Sequence, residues 1–349
     1  MRLMLRGSIL IAVATFALVL VCRLVLCEAV VEKATVPIGE FAGPVLVLDP
    51  RNQVVLVRKV DEKWTMTVIK EEIARFFCNP AGHYLYLTRD ERWMRGQIGS
   101  KDADVPAKCE LPTKNFYSAV DLSPDGKRIA FVVEENRDRV SRLKIQNIVD
   151  GTVTTIREKP GTGPYLFQMP TWSPDGKTLA YYESEGGIEE PTFVVQQVLP
   201  TVGEPKEVAP KSLWTRLSGP DRSEPKWSPD GKRILFEANY TEDFGERSYV
   251  VNADGTQLLP LSRSTWFTDR PVRKLPEGLP AEISRGSLWA WDPSGQFYGV
   301  VTWDNDGTQR HSVWIIDAKT GQWDRVGRME WRCLQAIWVN VPVAQTQSR

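Results

Sequence analysis

Through the middle of the chain, short apolar runs alternate with one polar string. Ala119-Val120-Asp121-Leu122 precedes Ser123-Pro124-Asp125-Gly126-Lys127, and Ile129-Ala130-Phe131-Val132 follows it. The string recurs in full as Ser173-Pro174-Asp175-Gly176-Lys177 and as Ser228-Pro229-Asp230-Gly231-Lys232. Two apolar runs joined this way predict a β-hairpin. Ser accepts from the backbone, Pro presets φ at the second position, Asp suits the third and Gly takes the left-handed conformation at the fourth. Three copies of one supersecondary unit imply a repeat architecture.

Searching for the physical requirement rather than the letters extends the series. Asp49-Pro50-Arg51-Asn52, Asn79-Pro80-Ala81-Gly82 and Asp292-Pro293-Ser294-Gly295 keep Asp or Asn first, Pro second, and Gly or Asn fourth. Six turns result, with prolines at 50, 80, 124, 174, 229 and 293. The widening interval fits a rigid core that carries growing insertions.

Each repeat divides into four strands. In the third these are Phe116 to Leu122, Arg128 to Val133, Arg142 to Ile148 and Thr152 to Ile156, with Asp150-Gly151 turning between the last two. The fifth repeats the order with Lys226-Trp227, Ile234 to Phe236, Tyr249 to Val251 and Leu258-Leu259. The pattern predicts an all-β fold, a six-bladed β-propeller of four-stranded antiparallel blades. A propeller must close or expose sheet edges. The strand-like run Leu334 to Val339 has no following hairpin and is expected to join the sheet of Val45 to Val57 as the closing strand.

Composition changes this picture only at the N-terminus. Arg2 and Arg6 precede an uncharged, mostly apolar run, Ser8 to Val21, and Cys27-Glu28-Ala29 offers small residues for cleavage after Ala29. Residues 1–29 therefore read as an export segment, cleaved, retained as an anchor, or lipidated at Cys27. Residues 30–42 then form a linker, 43–340 the propeller and 341–349 a tail. The expected location is periplasmic, either free or anchored facing the periplasm, with the membrane touched only through that N-terminus. The chain carries 44 basic and 44 acidic residues, a balance that gives no support to a nucleic-acid partner.

The strings Trp172-Ser-Pro-Asp-Gly-Lys-Thr-Leu-Ala-Tyr181 and Trp227-Ser-Pro-Asp-Gly-Lys-Arg-Ile-Leu-Phe236 resemble the repeat of TolB-type propellers, a family of bacterial envelope proteins. The likeness covers roughly residues 43 to 340 and implies a TolB-like fold. TolB itself carries an α/β domain ahead of its propeller, where this chain has only residues 30–42 between export segment and first blade, so that domain's role is not carried over. The repeat also resembles the propeller of the prolyl oligopeptidase family. No Gly-x-Ser-x-Gly string accompanies it, and His83 and His311 are the only histidines, both at strand ends. Propeller lyases and lactonases of this outline depend on histidine or clustered acidic ligands, which the sequence supplies sparsely.

The candidate chemistry lies in the loops opposite the Ser-Pro-Asp-Gly turns. Connections between second and third strands are acidic, with Glu134, Glu185, Asp243, Asp304 and Asp306 among them; the long segment 262–287 is basic, with Arg270 and Arg273. Such a mouth of mixed charge would dock a protein partner, a peptide or a glycan. Asp304-Asn305-Asp306-Gly307 could open a calcium loop, yet Ile315 stands where the twelfth-position glutamate belongs. No cofactor is expected. Of the chain's 13 tryptophans, Trp172 and Trp227 precede turns and should fill wedges between blades, whereas Trp214 and Trp266 sit in long connections and could stack on a ligand. Cys78 in a core strand reads as a buried thiol; a Cys78–Cys109 bridge stays open.

Overall fold

A computed structural model describes residues 45–48, 53–60, 63–111, 120–135, 140–160, 166–184, 191–209, 224–239, 246–264, 287–291, 295, 297–303, 311–317, 323–329 and 335–338. Among the described residues there are 24 strands in six four-stranded antiparallel sheets, and no helix long and apolar enough to cross a membrane.

Five blades run through consecutive strands. The second blade is β4 (Ile73–Cys78), β5 (His83–Thr88), β6 (Trp93–Gln97) and β7 (Val105–Pro106). The third is β8 (Val120–Leu122), β9 (Arg128–Glu135), β10 (Val140–Asn147) and β11 (Val153–Pro160). The fourth is β12 (Phe167–Trp172), β13 (Thr178–Glu183), β14 (Thr192–Gln197) and β15 (Lys206–Ala209). The fifth is β16 (Lys226–Trp227), β17 (Arg233–Asn239), β18 (Glu246–Asn252) and β19 (Leu259–Ser264). The sixth is β20 (Ser287–Trp291), β21 (Phe297–Trp303), β22 (His311–Asp317) and β23 (Trp323–Met329). His83 and His311 thus begin strands, as their positions after connections imply.

The first blade joins both ends of the repeat region. Its sheet order is β24 (Gln335–Trp338), β1 (Val45–Leu48), β2 (Val54–Val60) and β3 (Lys63–Lys70). β24 pairs antiparallel with β1, Val45 opposite Trp338 and Leu48 opposite Gln335, so the expected closing strand is present. Its position corrects one expectation. β24 takes the innermost place, hence β1 and β2 are the second and third strands. The Asp49-Pro50 connection, whose own residues lie outside the described ones, therefore links the strands that carry loops elsewhere. Its equivalence to the other five turns fails, because identical turn chemistry serves any hairpin whichever strands it joins.

Apolar side chains fill the seams between blades. Between the third and fourth, Val132, Leu143, Ile145, Phe167, Trp172, Leu179 and Tyr181 form one cluster. Between the fourth and fifth, Tyr182, Phe193, Phe236 and Tyr249 pack with Trp227 at the edge. Phe193 and Phe236 stack at 4.6 Å between centroids. Flat rings suit these wedges because two twisted sheets meet there at an angle, and each buried large side chain contributes about 1.5–3 kcal/mol. Trp172 and Trp227 therefore fill wedges as the sequence implies. Cys78 is buried, Cys109 half-buried, and both are free thiols, so no Cys78–Cys109 bridge exists.

Candidate functional site

The turn-bearing face is built from one repeated device. In the three full copies the serine hydroxyl donates to the aspartate carboxylate at 2.6 Å, as Ser123 does to Asp125, Ser173 to Asp175 and Ser228 to Asp230. The same carboxylate oxygen accepts the backbone N–H of Lys127, Lys177 or Lys232 at 3.0 Å. Gly126, Gly176 and Gly231 have φ of 64°, 66° and 70°, the left-handed region that glycine enters without strain. Burial opposes ionisation of Asp125 and Asp230, yet the serine hydroxyl and lysine N–H hold both carboxyls below the usual range.

Pro and Gly also connect successive turns. A Cβ on Gly176 would stand 3.6 Å from Cδ of Pro124, one on Gly231 3.7 Å from Cδ of Pro174, and one on Gly295 3.3 Å from Cδ of Pro229. These three turns each lay their glycine on the proline of the turn before. The sequence placed Pro124, Pro174 and Pro229 in the turns for their φ; their contact with the next blade was not visible, because it spans 52 to 66 positions.

The innermost strands clamp one another in the channel wall. Oδ2 of Asp121 on β8 accepts the backbone N–H of Trp172 at 2.6 Å and the hydroxyl of Thr171 at 3.1 Å, both on β12. Trp227 Nε1 donates to the carbonyl of Thr171 at 3.2 Å, and Trp291 Nε1 to that of Lys226 at 3.0 Å. Asn79 Nδ2 donates to the carbonyl of Ser123 at 2.6 Å. Burial pushes the Asp121 carboxyl up to about 6, against the Trp172 N–H, with nearby Glu224 adding to the rise and Lys226 opposing it. Lys226 pairs with Glu224 at 2.6 Å.

Two further carboxylates sit in the seams. Oε1 of Glu183, at the end of β13, meets Arg157 Nη2 at 2.9 Å and Lys159 Nζ at 2.7 Å, both on the outer strand of the third blade. Asp104 accepts the hydroxyls of Tyr84 at 2.7 Å and Tyr86 at 3.0 Å and pairs with Lys70 at 2.5 Å. Sequence reasoning missed Asp121 and Asp104, and took Glu183 as one of the acidic loop residues, whereas it ends β13 and pairs across the seam. The available signal was a charge inside an apolar strand, as in Val120-Asp121-Leu122 and Tyr181-Tyr182-Glu183.

Of the residues expected at the loop-bearing face, Glu134 near the end of β9 is exposed, and partial burial raises its carboxyl above the usual range. Glu185, Trp214, Asp243, Trp266, Arg270, Arg273, Asp304 and Asp306 lie outside the described residues. Among the described residues, no group of three His, Cys, Asp or Glu is arranged to hold a metal ion.

Six closed, four-stranded blades define a β-propeller of the TolB type. Known proteins agree on the fold. TolB from Acinetobacter baumannii superposes with a TM-score of 0.58 at 15% identity, covering 86% of this chain and 67% of that one. An oligogalacturonate lyase from Vibrio parahaemolyticus gives 0.50 at 9% identity, covering 81% and 78%. By sequence, the chain is 29% identical to an uncharacterised peptidase, YuxL of Bacillus subtilis (strain 168), over 34% of this chain and 21% of that protein. The chain thus spans about a fifth of that relative's length. No protein-family model matches.

Proposed function

We propose that the protein is an exported, non-catalytic propeller that binds a protein or another envelope component through its long loops. The observation that carries this reading is where its interior charges go. Asp121, Glu183 and Asp104 each engage partners on a neighbouring blade or strand, and the turn aspartates engage their own turns. These groups join blade to blade and close each turn on itself. Recognition would then fall to the connections that carry mixed charge on the opposite face. Likeness to both a TolB and a lyase leaves the fold neutral between binding and catalysis, since propellers host unrelated functions.

The test is cross-linking and affinity purification from envelope fractions. A partner retained by the parent chain should be lost from Arg270→Glu/Arg273→Glu and kept by Lys127→Ala/Lys177→Ala on the opposite face. The alternative is a metal-dependent hydrolase or lyase acting on a sugar or lactone at the channel mouth. Saccharide or lactone cleavage that needs manganese or calcium and disappears in Asp304→Asn/Asp306→Asn would replace the binding reading with that one.

A further inference from the structure

Strand register gathers a set of polar side chains at one end of the seam between the third and fourth blades. Ser141 on β10 lies opposite Glu134 of β9 and Lys159 of β11, and Leu143 lies opposite Arg157. Leu143 packs into the seam, so Glu134, Ser141, Arg157 and Lys159 share the face of the third blade that meets the fourth. Glu183 completes the group from β13, on the same side of its strand as Leu179 and Tyr181. Glu134, Ser141 and Glu183 each stand beside a connection between second and third strands, which puts the group at the loop-bearing end.

Arg157 is under-used there. Its Nη2 reaches Oε1 of Glu183 at 2.9 Å, an oxygen that Lys159 Nζ also takes at 2.7 Å. Glu158, next along the strand, turns to the other face of the sheet and pairs with Arg142 at 2.7 Å. Glu204 attracts Arg157 but is exposed and forms no ion pair with it among the described residues. Two donors are idle. Nε of Arg157 and the hydroxyl of Ser141, a residue only 1% exposed, are buried with no acceptor among the described residues. A buried polar group left unpaired costs about 1–3 kcal/mol.

We propose that this seam mouth is a binding site for a carboxylate, either an acidic side chain or the C-terminus of a peptide partner. It rests on the loop-binding reading given above and names the chemistry that reading recognises. A carboxylate offers two oxygens in one plane, which guanidinium N–H groups and a hydroxyl can address together, and its charge supplies Arg157 with what it now shares. Arg157 is 30% exposed, so the guanidinium meets the ligand first. Nε and the Ser141 hydroxyl lie deeper, and exposed Glu134, the like charge opposite Ser141, turns outward as the ligand enters.

The experiment titrates the full-length chain, isotopically labelled at arginine nitrogen, with three capped peptides of glycine and serine. One carries a single glutamate, one a free C-terminus, and one no charge. The Arg157 Nε–H resonance, assigned by its loss in Arg157→Lys, should shift saturably with the charged peptides and stay fixed with the neutral one. Whichever charged peptide binds tighter identifies the source of the carboxylate. Arg157→Lys should weaken binding about tenfold through loss of a charge-assisted hydrogen bond. Ser141→Ala should weaken it about threefold without lowering the unfolding midpoint, because its hydroxyl has no bond to lose, and so decides the matter if Arg157→Lys disturbs the seam. No shift with either charged peptide, or unchanged affinity in both variants, overturns the site and leaves loop-mediated binding to its own test. A shift with oligogalacturonate alone overturns the peptide as occupant. Partner capture that ignores Arg270→Glu/Arg273→Glu while the Arg157 shift persists counts against the loop reading alone.

Discussion

Gly126 lies against the imidazole of His83 so closely that a Cβ there would stand 2.5 Å from Cγ of the ring. His83 begins β5 in the second blade and Gly126 ends the turn of the third, so the pair fixes one blade against the next. Gly126 has φ of 64° as well, which makes two separate demands for glycine at one position. Gly126→Ala is expected to destabilise by about 3 kcal/mol or more, combining left-handed strain with overpacking. Gly176→Ala, whose Cβ would meet Pro124 Cδ at 3.6 Å, an ordinary contact, should cost only the strain, about 1–2 kcal/mol. Denaturant midpoints of the two variants decide; equal losses would remove the imidazole contact from the account.

The three wedge tryptophans separate an indole hydrogen bond from an indole's bulk. Trp227 and Trp291 donate to the preceding blade, whereas Nε1 of buried Trp172 has no acceptor among the described residues. Replacing each in turn by benzothienylalanine keeps the shape and removes the N–H. Positions 227 and 291 should each lose about 1 kcal/mol, with position 291 also altering the Arg233 stacking at 4.8 Å, while position 172 should gain or stay level. Equal losses at all three would show that shape alone matters.

Asp121 makes stability depend on pH in a definite direction. Folding raises its carboxyl from 3.8 to about 6, chiefly through burial, so the folded state holds the proton more tightly. Its contribution is greatest below 3.8, declines as pH rises through that value to about 6, and is level above. Asp121→Asn retains an oxygen for the Trp172 N–H and the Thr171 hydroxyl and carries no charge. Urea titrations should find it about 1 kcal/mol more stable than the parent near pH 7.5, with a flatter profile between about pH 4 and 6.5. A less stable variant near neutrality would mean that the clamp needs the full carboxylate charge.

Glu183 is shared by Arg157 and Lys159 of the neighbouring blade. Glu183→Gln should destabilise by about 2–3 kcal/mol, since it removes the one carboxylate charge that Arg157 and Lys159 share in the seam. Adding Arg157→Met should recover part of that loss. Double-mutant coupling near zero would reduce the pair to a surface contact.

Closure gives the largest expected effect. Removing residues 330–349 takes away the innermost strand of the first blade and exposes β1 as an unpaired edge. Cooperative thermal unfolding should be lost, and an unchanged transition would show that the ring holds without its clasp.

The sequence disclosed whatever short contiguous segments can carry. Turns at Pro124, Pro174 and Pro229 and the strands beside them were legible because Ser, Pro, Asp and Gly each act on their own backbone. Contacts between blades were not. Asp121 and the Trp172 N–H are separated by 51 positions, and Asn79 and the Ser123 carbonyl by 44, so no local pattern announces either bond. The Asp49-Pro50 turn was assigned to the wrong pair of strands for the same reason: only the register between β24 and β1 reveals which strands it joins. At the loop-bearing face the charges were readable, but which residues converge depends on loop paths that strand patterning does not encode.

Because β1 to β3 wait for β24, the first blade is the last to be finished. During synthesis its three strands emerge early and must remain without their innermost neighbour until Gln335–Trp338 have been made. The blades from β4 to β23 can each assemble from contiguous sequence in the meantime. Ring formation is then a late, long-range step, slow compared with hairpin formation, during which β1 offers its free edge to any passing strand. The vulnerable period of this protein is its biosynthesis, and a chaperone that shields β1 would act at its start.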